Sequence, residues 1–256
     1  MANRPPDLTM VVPTYNERDR LGELVTALFG IGAGAGIELE LVVVDDNSPD
    51  GTGALADDLA RSYRMRVVHR SGKLGLGTAV VAGFRAATGG VLGVMDADFS
   101  HPPALVPEML AVFKATNADV LVASRYVPGG STPNWPFKRR LLSRVGCLLA
   151  RPLSPIRDAA SGFFLIRRSI VEGVTIKAGG FKICLELIVR GSAARLVEMP
   201  YRFDDRELGE SKMSFREAAG YLVQLRDLYG VRRSRSAKQY RQLTAEEVRS
   251  MVQAAR

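Results

Sequence analysis

The chain has 256 residues, 46% hydrophobic and 24% charged, with a net charge of +8 and a pI near 9.8. That composition is globular, long enough for one sizeable core, and the positive charge favours an anionic partner: nucleotide, phospholipid headgroup or nucleic acid. No stretch approaches the roughly 18 uncharged apolar residues of a membrane span. Cys147 and Cys184 lie far apart without metal-type spacing, and the first residues lack a hydrophobic signal core. Two buried thiols in a cytosolic chain are expected.

Short β-rich runs alternate with helical patterns. Strands are predicted at Leu8 to Val12, Leu39 to Val44, Arg66 to Val68, Val91 to Met95 and Val120 to Ala123, with helices near 17–30, 52–63, 75–88 and 103–116. This alternation predicts an α/β fold with right-handed crossovers and a mostly parallel, Rossmann-like sheet flanked by helices. Past Ser124 a Pro/Gly/Trp segment leads to a basic-apolar helix at 137–151. A strand at 162–166, a helix at 181–190, a strand at 195–203 and a helix at 214–229 follow. The whole reads as one catalytic domain, 1–230, whose halves 8–125 and 126–230 serve two substrates. A basic tail, 231–256, is expected to be mobile or surface-bound. It ends in a short helix opened by a capping box at Thr244 and Glu247.

Three parallel strands end in acids on one edge. The fourth run stops at Met95 and gives Asp96-Ala97-Asp98; the second stops at Val44 and gives Asp45-Asp46; the first leads through Pro13 and Tyr15 to Glu17. Open α/β folds bind ligands at that edge. Asp96 and Asp98 offer hard oxygen ligands suited to Mg²⁺ or Mn²⁺ holding phosphates. Tyr15 and Glu17 are placed to hold a nucleoside by stacking and by a carboxylate hydrogen bond. Each loop alone is also compatible with ordinary turn and capping chemistry. The glycine-rich stretches at 30–36 and 72–77 match neither a dinucleotide fingerprint nor a phosphate-binding loop with its lysine.

Together, P-T-Y-N-E, V-D-D-N-S-P-D-G-T, G-L-G-T-A, M-D-A-D-F-S-H-P-P, S-R-Y-V-P-G-G, S-G-F and G-E-S-K-M resemble the dolichol-phosphate (polyprenol-phosphate) mannose synthases. These are family 2 glycosyltransferases of the A-type fold, and the likeness runs from about residue 8 to 230. The resemblance implies transfer of mannose from GDP-mannose to a polyprenyl phosphate. It implies that Pro13, Tyr15, Glu17, Val44 and Asp46 line the guanosine pocket. Asp96, Ala97, Asp98 and Ser100 would form the metal and diphosphate site. Arg125 would face the sugar-phosphate, and Arg206 and Lys212 would close over the diphosphate. Arg139 and Ser143 would grip the lipid phosphate. Ser100 stands where relatives commonly carry glutamine, and Phe164 where they carry arginine.

A lipid phosphate is already anionic near neutral pH, so no strong general base is required. His101 is open to a direct catalytic part or to a hydrogen bond within the metal loop. Glu186 is open to orienting the acceptor or to being an exposed helix acid. Trp135 and Phe137, ringed by Arg125, Lys138, Arg139, Arg140 and Arg144, read as a solvated face or as an interfacial anchor, and peripheral attachment to the cytoplasmic face of a membrane is expected through helix 137–151 and the arginine-rich tail. A membrane-embedded partner protein is compatible with this. Phe215, Tyr221, Leu222 and Leu225 read either as core or as an extension of that patch. A UDP-sugar donor is the near alternative. Nucleic-acid binding, suggested by charge, lacks any accompanying signature.

Overall fold

A computed structural model describes residues 4–176, 182–204, 215–234 and 239–255. Its strands are β1 (Leu8–Thr14), β2 (Leu39–Asp45), β3 (Met65–His69), β4 (Val91–Val94), β5 (Val120–Ser124), β6 (Phe164–Arg167), β7 (Arg195–Pro200) and β8 (Arg241–Gln242). They form one sheet in the order β3-β2-β1-β4-β6-β5-β7-β8. β3, β2, β1 and β4 are parallel to one another, as are β5, β7 and β8, while β6 runs antiparallel to both β4 and β5.

The helices are α1 (Arg18–Gly34), α2 (Thr52–Leu59), α3 (Leu76–Ala86), α4 (Val106–Ala115), α5 (Phe137–Ala150), the single turn α6 (Arg168–Val171), α7 (Ile183–Arg190), α8 (Phe215–Ser234) and α9 (Ala245–Ala254). Every residue of β2 is buried, and all but Pro13 in β1. Burial on both faces explains why these strands are near-continuous Val/Leu/Met runs. On one face Met10, Val12, Leu41 and Val43 pack with Leu21, Leu24 and Leu28 of α1 and Met109 of α4. On the other, Val11, Val42 and Val44 pack with Ala79 and Val80 of α3 and Ile188 of α7.

The chain passes from β1 to one neighbour, β2, and later fills the other flank of β1 with β4. The strand ends at that switch point open a crevice, which is where doubly wound sheets take ligands.

Several boundaries differ from expectation for physical reasons. α1 continues through Gly30, Gly32 and Gly34, with Gly32 buried in ordinary contact against Leu39, where a Cβ would sit 3.5 Å from the Leu39 Cβ. The helix stops only before Gly36, whose φ of +65° a residue with a side chain rarely adopts. β7 ends at Pro200, and the chain then turns to pair beside Ser131, where the Phe203 N–H donates to the Ser131 carbonyl at 2.9 Å. The boundary expected at residue 230 falls inside α8. Beyond it, β8 pairs with β7, and α9 lays Val248, Met251 and Val252 on the core. The Thr244–Glu247 capping box is formed, with both reciprocal hydrogen bonds.

Candidate active site

The loops after β1 and β2 hold each other. The backbone N–H groups of Asn16, Glu17 and Arg18 donate to Ser48 Oγ (3.1 Å), Thr52 Oγ1 (3.0 Å) and Asp50 Oδ2 (3.2 Å). Asp45 accepts from the Ser48 N–H and hydroxyl and from Thr14, and Asp50 accepts from the Thr52 N–H and hydroxyl. Asp45 and Asp50 are therefore turn builders. Asp46 is different: its carboxylate meets the Arg70 guanidinium at 2.7 Å, and Arg70 also donates to Thr78 Oγ1 at 2.6 Å. Both charged side chains are under a tenth exposed, and burial pushes the Asp46 carboxyl upward against the pull of Arg70. Tyr15 is exposed, with the Lys73 ammonium 4.4 Å from its ring centre. Pro13, Tyr15, Glu17 and Asp46 thus share one rim. Val44 is fully buried in the core beneath it, so only its backbone can border a ligand.

The loop after β4 is equally built. The Asp96 N–H donates to His101 Nδ1 at 2.9 Å, which assigns that nitrogen as the acceptor and the proton to Nε2. His101 is buried, stacked on Phe163 at 5.1 Å and edged by Tyr201 and Phe203 at 6.0 Å. Burial holds its pKa below the usual imidazole range. Of the two roles open to it, the structure gives His101 the structural one, orienting the Asp96 backbone. Ser100 donates from its N–H (3.1 Å) and hydroxyl (2.6 Å) to Asp98 Oδ1, and so fixes that carboxylate. Gly162 lies alongside: a Cβ there would stand 3.3 Å from the His101 ring and 3.8 Å from the Asp96 carboxylate. Phe99, between the two acids and Ser100, takes φ +63°, as Asn16 (+60°) and Asn47 (+59°) do after β1 and β2. Three left-handed residues turn three loops at the same sheet edge.

Across from this rim stands a cluster of cations and aromatics. Arg125 is buried and donates from Nε and Nη2 to Asp158, each at 2.7 Å, while its backbone N–H donates to the same carboxylate at 2.9 Å. Its guanidinium lies 5.0 Å from the Trp135 ring centre, 5.5 Å from that of Tyr126 and 5.6 Å from that of Phe203. Arg139, in the first turn of α5, lies 4.1 Å over the same indole. The Tyr126 hydroxyl donates to Ser143 Oγ at 2.7 Å.

Two expectations are corrected here. Trp135, read as part of a solvated face or an interfacial anchor, is 6% exposed and packed edge-on against Phe203. Phe137 is at the surface as expected (74% exposed), and along the same helix, α5, Leu141, Leu142, Val145, Leu148 (69%) and Leu149 face outward. Glu186 is not an exposed acid: it is buried on α7 and takes Arg190 at 2.9 Å and Gln224 of α8 at 3.0 Å. Arg190 also pairs with Asp227, so the network clamps α8 onto α7. On α8, Tyr221 and Leu225 pack inward while Leu222 and Val223 are exposed. Arg206 and Lys212 lie outside the described residues.

Sequence reasoning missed Asp158, Arg70 and Lys182. Lys182 sits in the field of Arg125, Asp158 and Asp96, and burial, then Arg125, push its pKa down. Only Asp158 left a signal, as an acid just ahead of the Ser161-Gly162-Phe163 motif.

The sequence model described as Glycosyl transferase family 2 matches residues 9–175. A dolichol-phosphate mannosyltransferase of Saccharomyces cerevisiae is 37% identical over 87% of this chain and 87% of its own. A polyprenol monophosphomannose synthase of Mycolicibacterium smegmatis is 41% identical over 82% and 83%. The chain belongs to glycosyltransferase family 2, with the dolichol- and polyprenol-phosphate mannose synthases. A dolichol-phosphate mannosyltransferase of Pyrococcus furiosus is 41% identical over 84% of this chain, which spans 61% of that protein's length. Among solved structures, glucosyl-3-phosphoglycerate synthase of Mycobacterium tuberculosis with Mn²⁺ and UDP superposes with a TM-score of 0.66 at 18% identity, over 88% of this chain and 80% of its own. A Pyrobaculum calidifontis mannosyltransferase with GDP-Man and Mn²⁺ gives 0.57 at 16%, over 99% and 70%. At these identities the likeness is one of fold, and the fold is the A-type glycosyltransferase fold.

For a family 2 enzyme the Asp96/Asp98 pair suits a divalent cation. Both side chains are carboxylates, Asp96 is 40% exposed, and the His101 ring 3.8 Å from it takes the Asp96 N–H at Nδ1. Among the described residues no cluster of three or more His, Cys, Asp or Glu could hold a metal by itself, so the remaining ligands must come from elsewhere.

Proposed function

We propose that this protein transfers mannose from GDP-mannose to a polyprenyl (dolichyl-type) phosphate in a metal-dependent, inverting single displacement, giving a β-linked product. One observation carries the reading. The acid-ended loops of β1, β2 and β4 share one sheet edge, and the Arg125/Trp135/Arg139 cluster meets that edge through Phe203 and His101.

Pro13, Tyr15, Glu17 and Asp46, with the Val44 backbone, form the guanosine rim. Asp96, Ala97, Asp98 and Ser100 hold the diphosphate side, and Arg206 and Lys212 are assigned to the same anion. Mg²⁺ or Mn²⁺ on Asp96 and Asp98 would neutralise the departing diphosphate. Ser100 and His101 keep the two acids in place for it. Arg125, Arg139 and Ser143 receive the lipid phosphate, whose oxygen is the nucleophile. Because that oxygen is already anionic, the chain need supply no general base, which fits a buried neutral His101 and a Glu186 committed to Arg190 and Gln224.

A lipid acceptor must reach the site from a membrane surface. Among the described residues no helix is long and apolar enough to cross one. The exposed face of α5 instead combines Leu, Val and Phe side chains with Lys138 and Arg144, which suits peripheral attachment to an anionic leaflet or to a membrane-embedded partner protein. A cytoplasmic face supplies both nucleotide sugar and lipid.

The decisive assay incubates the protein with radiolabelled GDP-mannose, Mn²⁺ and polyprenyl phosphate and extracts with organic solvent. Label is expected in the organic phase, and chelation is expected to abolish it. A thermal-shift titration in which UDP stabilises the protein and GDP does not would overturn the donor.

A further inference from the structure

We infer that Glu198 of β7 and Gln242 of β8 are positioning residues for the acceptor phosphate: they hold the backbone of residues 157–158, and through Asp158 they hold Arg125. This rests on the assignment of Arg125 to the acceptor proposed above, and it makes the segment beyond residue 230 a working part of that site.

The contacts form a continuous chain. The buried Asp158 carboxylate takes Nε and Nη2 of Arg125 at 2.7 Å each and the Arg125 backbone N–H at 2.9 Å. What places that carboxylate is its own backbone. Glu198 accepts the Arg157 N–H at 2.8 Å on one oxygen and the Asp158 N–H at 3.0 Å on the other. Gln242 Nε2 donates to the first of those oxygens at 2.7 Å, and the Ser124 hydroxyl also donates to the carboxylate. Every one of these partners is a donor, so position 198 requires a group that only accepts. A glutamine there would turn its N–H₂ toward one of them. Gln242 is itself placed by sheet pairing: it lies opposite Leu196 in the parallel β7–β8 pair, and Leu243 after it is buried in the core. The Ser161 N–H holds the Asp158 carbonyl at 3.1 Å. The hold at Glu198 is therefore one of two, and its loss should weaken acceptor binding without abolishing transfer.

The test reads two signals from Glu198→Gln and Gln242→Ala. Trp135 is the single tryptophan of the chain, and the Arg125 guanidinium stands 5.0 Å from its ring centre, so its emission reports where that cation sits. Both variants are expected to shift the emission of the protein without substrates, Glu198→Gln the more. In steady-state kinetics with GDP-mannose, Mn²⁺ and farnesyl phosphate, Glu198→Gln is expected to raise KM for farnesyl phosphate about tenfold, the scale of one hydrogen bond to a charged group. Gln242→Ala is expected to raise it several-fold, and to add little once Glu198 is replaced, since it acts through that carboxylate. The GDP-mannose KM and kcat should stay near wild type. Emission unmoved in both variants would overturn the inference whatever the KM. So would equal rises in both KM values, or a lowered urea midpoint with nothing else changed, which a purely structural pair would give. A shifted emission with an unmoved farnesyl phosphate KM has a different meaning: the pair positions Arg125, but Arg125 does not meet the acceptor, and it is the acceptor assignment that fails.

Discussion

The rim proposed for the donor and the cluster proposed for the acceptor are built in different ways. The rim is made of turns: Asp45, Asp50 and Asp98 fasten short loops that each follow a buried strand, and the Asn16, Glu17 and Arg18 N–H groups tie the first loop to the second. The Arg125 cluster is made of buried side-chain contacts. Asp158 reaches back 33 residues to Arg125, Phe203 braces Trp135, and α5 leaves its apolar face uncovered. A rim made of turns should tolerate loss of a ligand group without unfolding, whereas a cluster made of buried tertiary contacts should not.

Three substitutions test that contrast, in falling order of effect. Asp158→Ala strips the buried Arg125 of its bidentate partner and is expected to cost about 3–5 kcal/mol of stability, read as a lowered urea midpoint. A midpoint within about 0.5 kcal/mol of wild type would mean the cluster does not hold the fold. Asp96→Asn is the converse. Its side chain is 40% exposed, so the urea midpoint should stay put while transfer falls by about 10²–10³-fold, the scale of removing one group that stabilises developing charge. The smallest effect is Gly162→Ala. The added methyl would crowd the His101 ring at 3.3 Å and displace Asp96 by a few tenths of an ångström. A several-fold rise in the Mn²⁺ concentration needed for half-maximal transfer is expected, with thermal stability nearly unchanged.

The same contrast explains what could be read from residues alone. Strand alternation, acids at strand ends and the Thr244–Glu247 box are short-range patterns, and the fold and the positions of Asp96, Asp98 and Ser100 follow from them. Asp46 was legible as a rim residue, but its engagement with Arg70, 24 positions away, was not. Trp135 shows the limit most clearly. A tryptophan ringed by cations reads as a solvated face or an amphipathic anchor, and only the return of the chain at Phe203 buries it. The burial of Glu186 was hidden for the same reason, since Gln224 is 38 residues away. Helix α1 outran its expected end despite glycine's poor helix propensity, with Gly32 buried against Leu39.

The reversed direction of β6 has one further consequence. A strand laid down with the same polarity as β4 would begin at the far margin of the sheet and carry residues 158–163 away from the crevice. Inserted head-to-tail, β6 begins where β4 finishes, with Val94 opposite Phe164. A single inversion of chain sense thus delivers the half of the molecule proposed for the second substrate to the doorstep of the first.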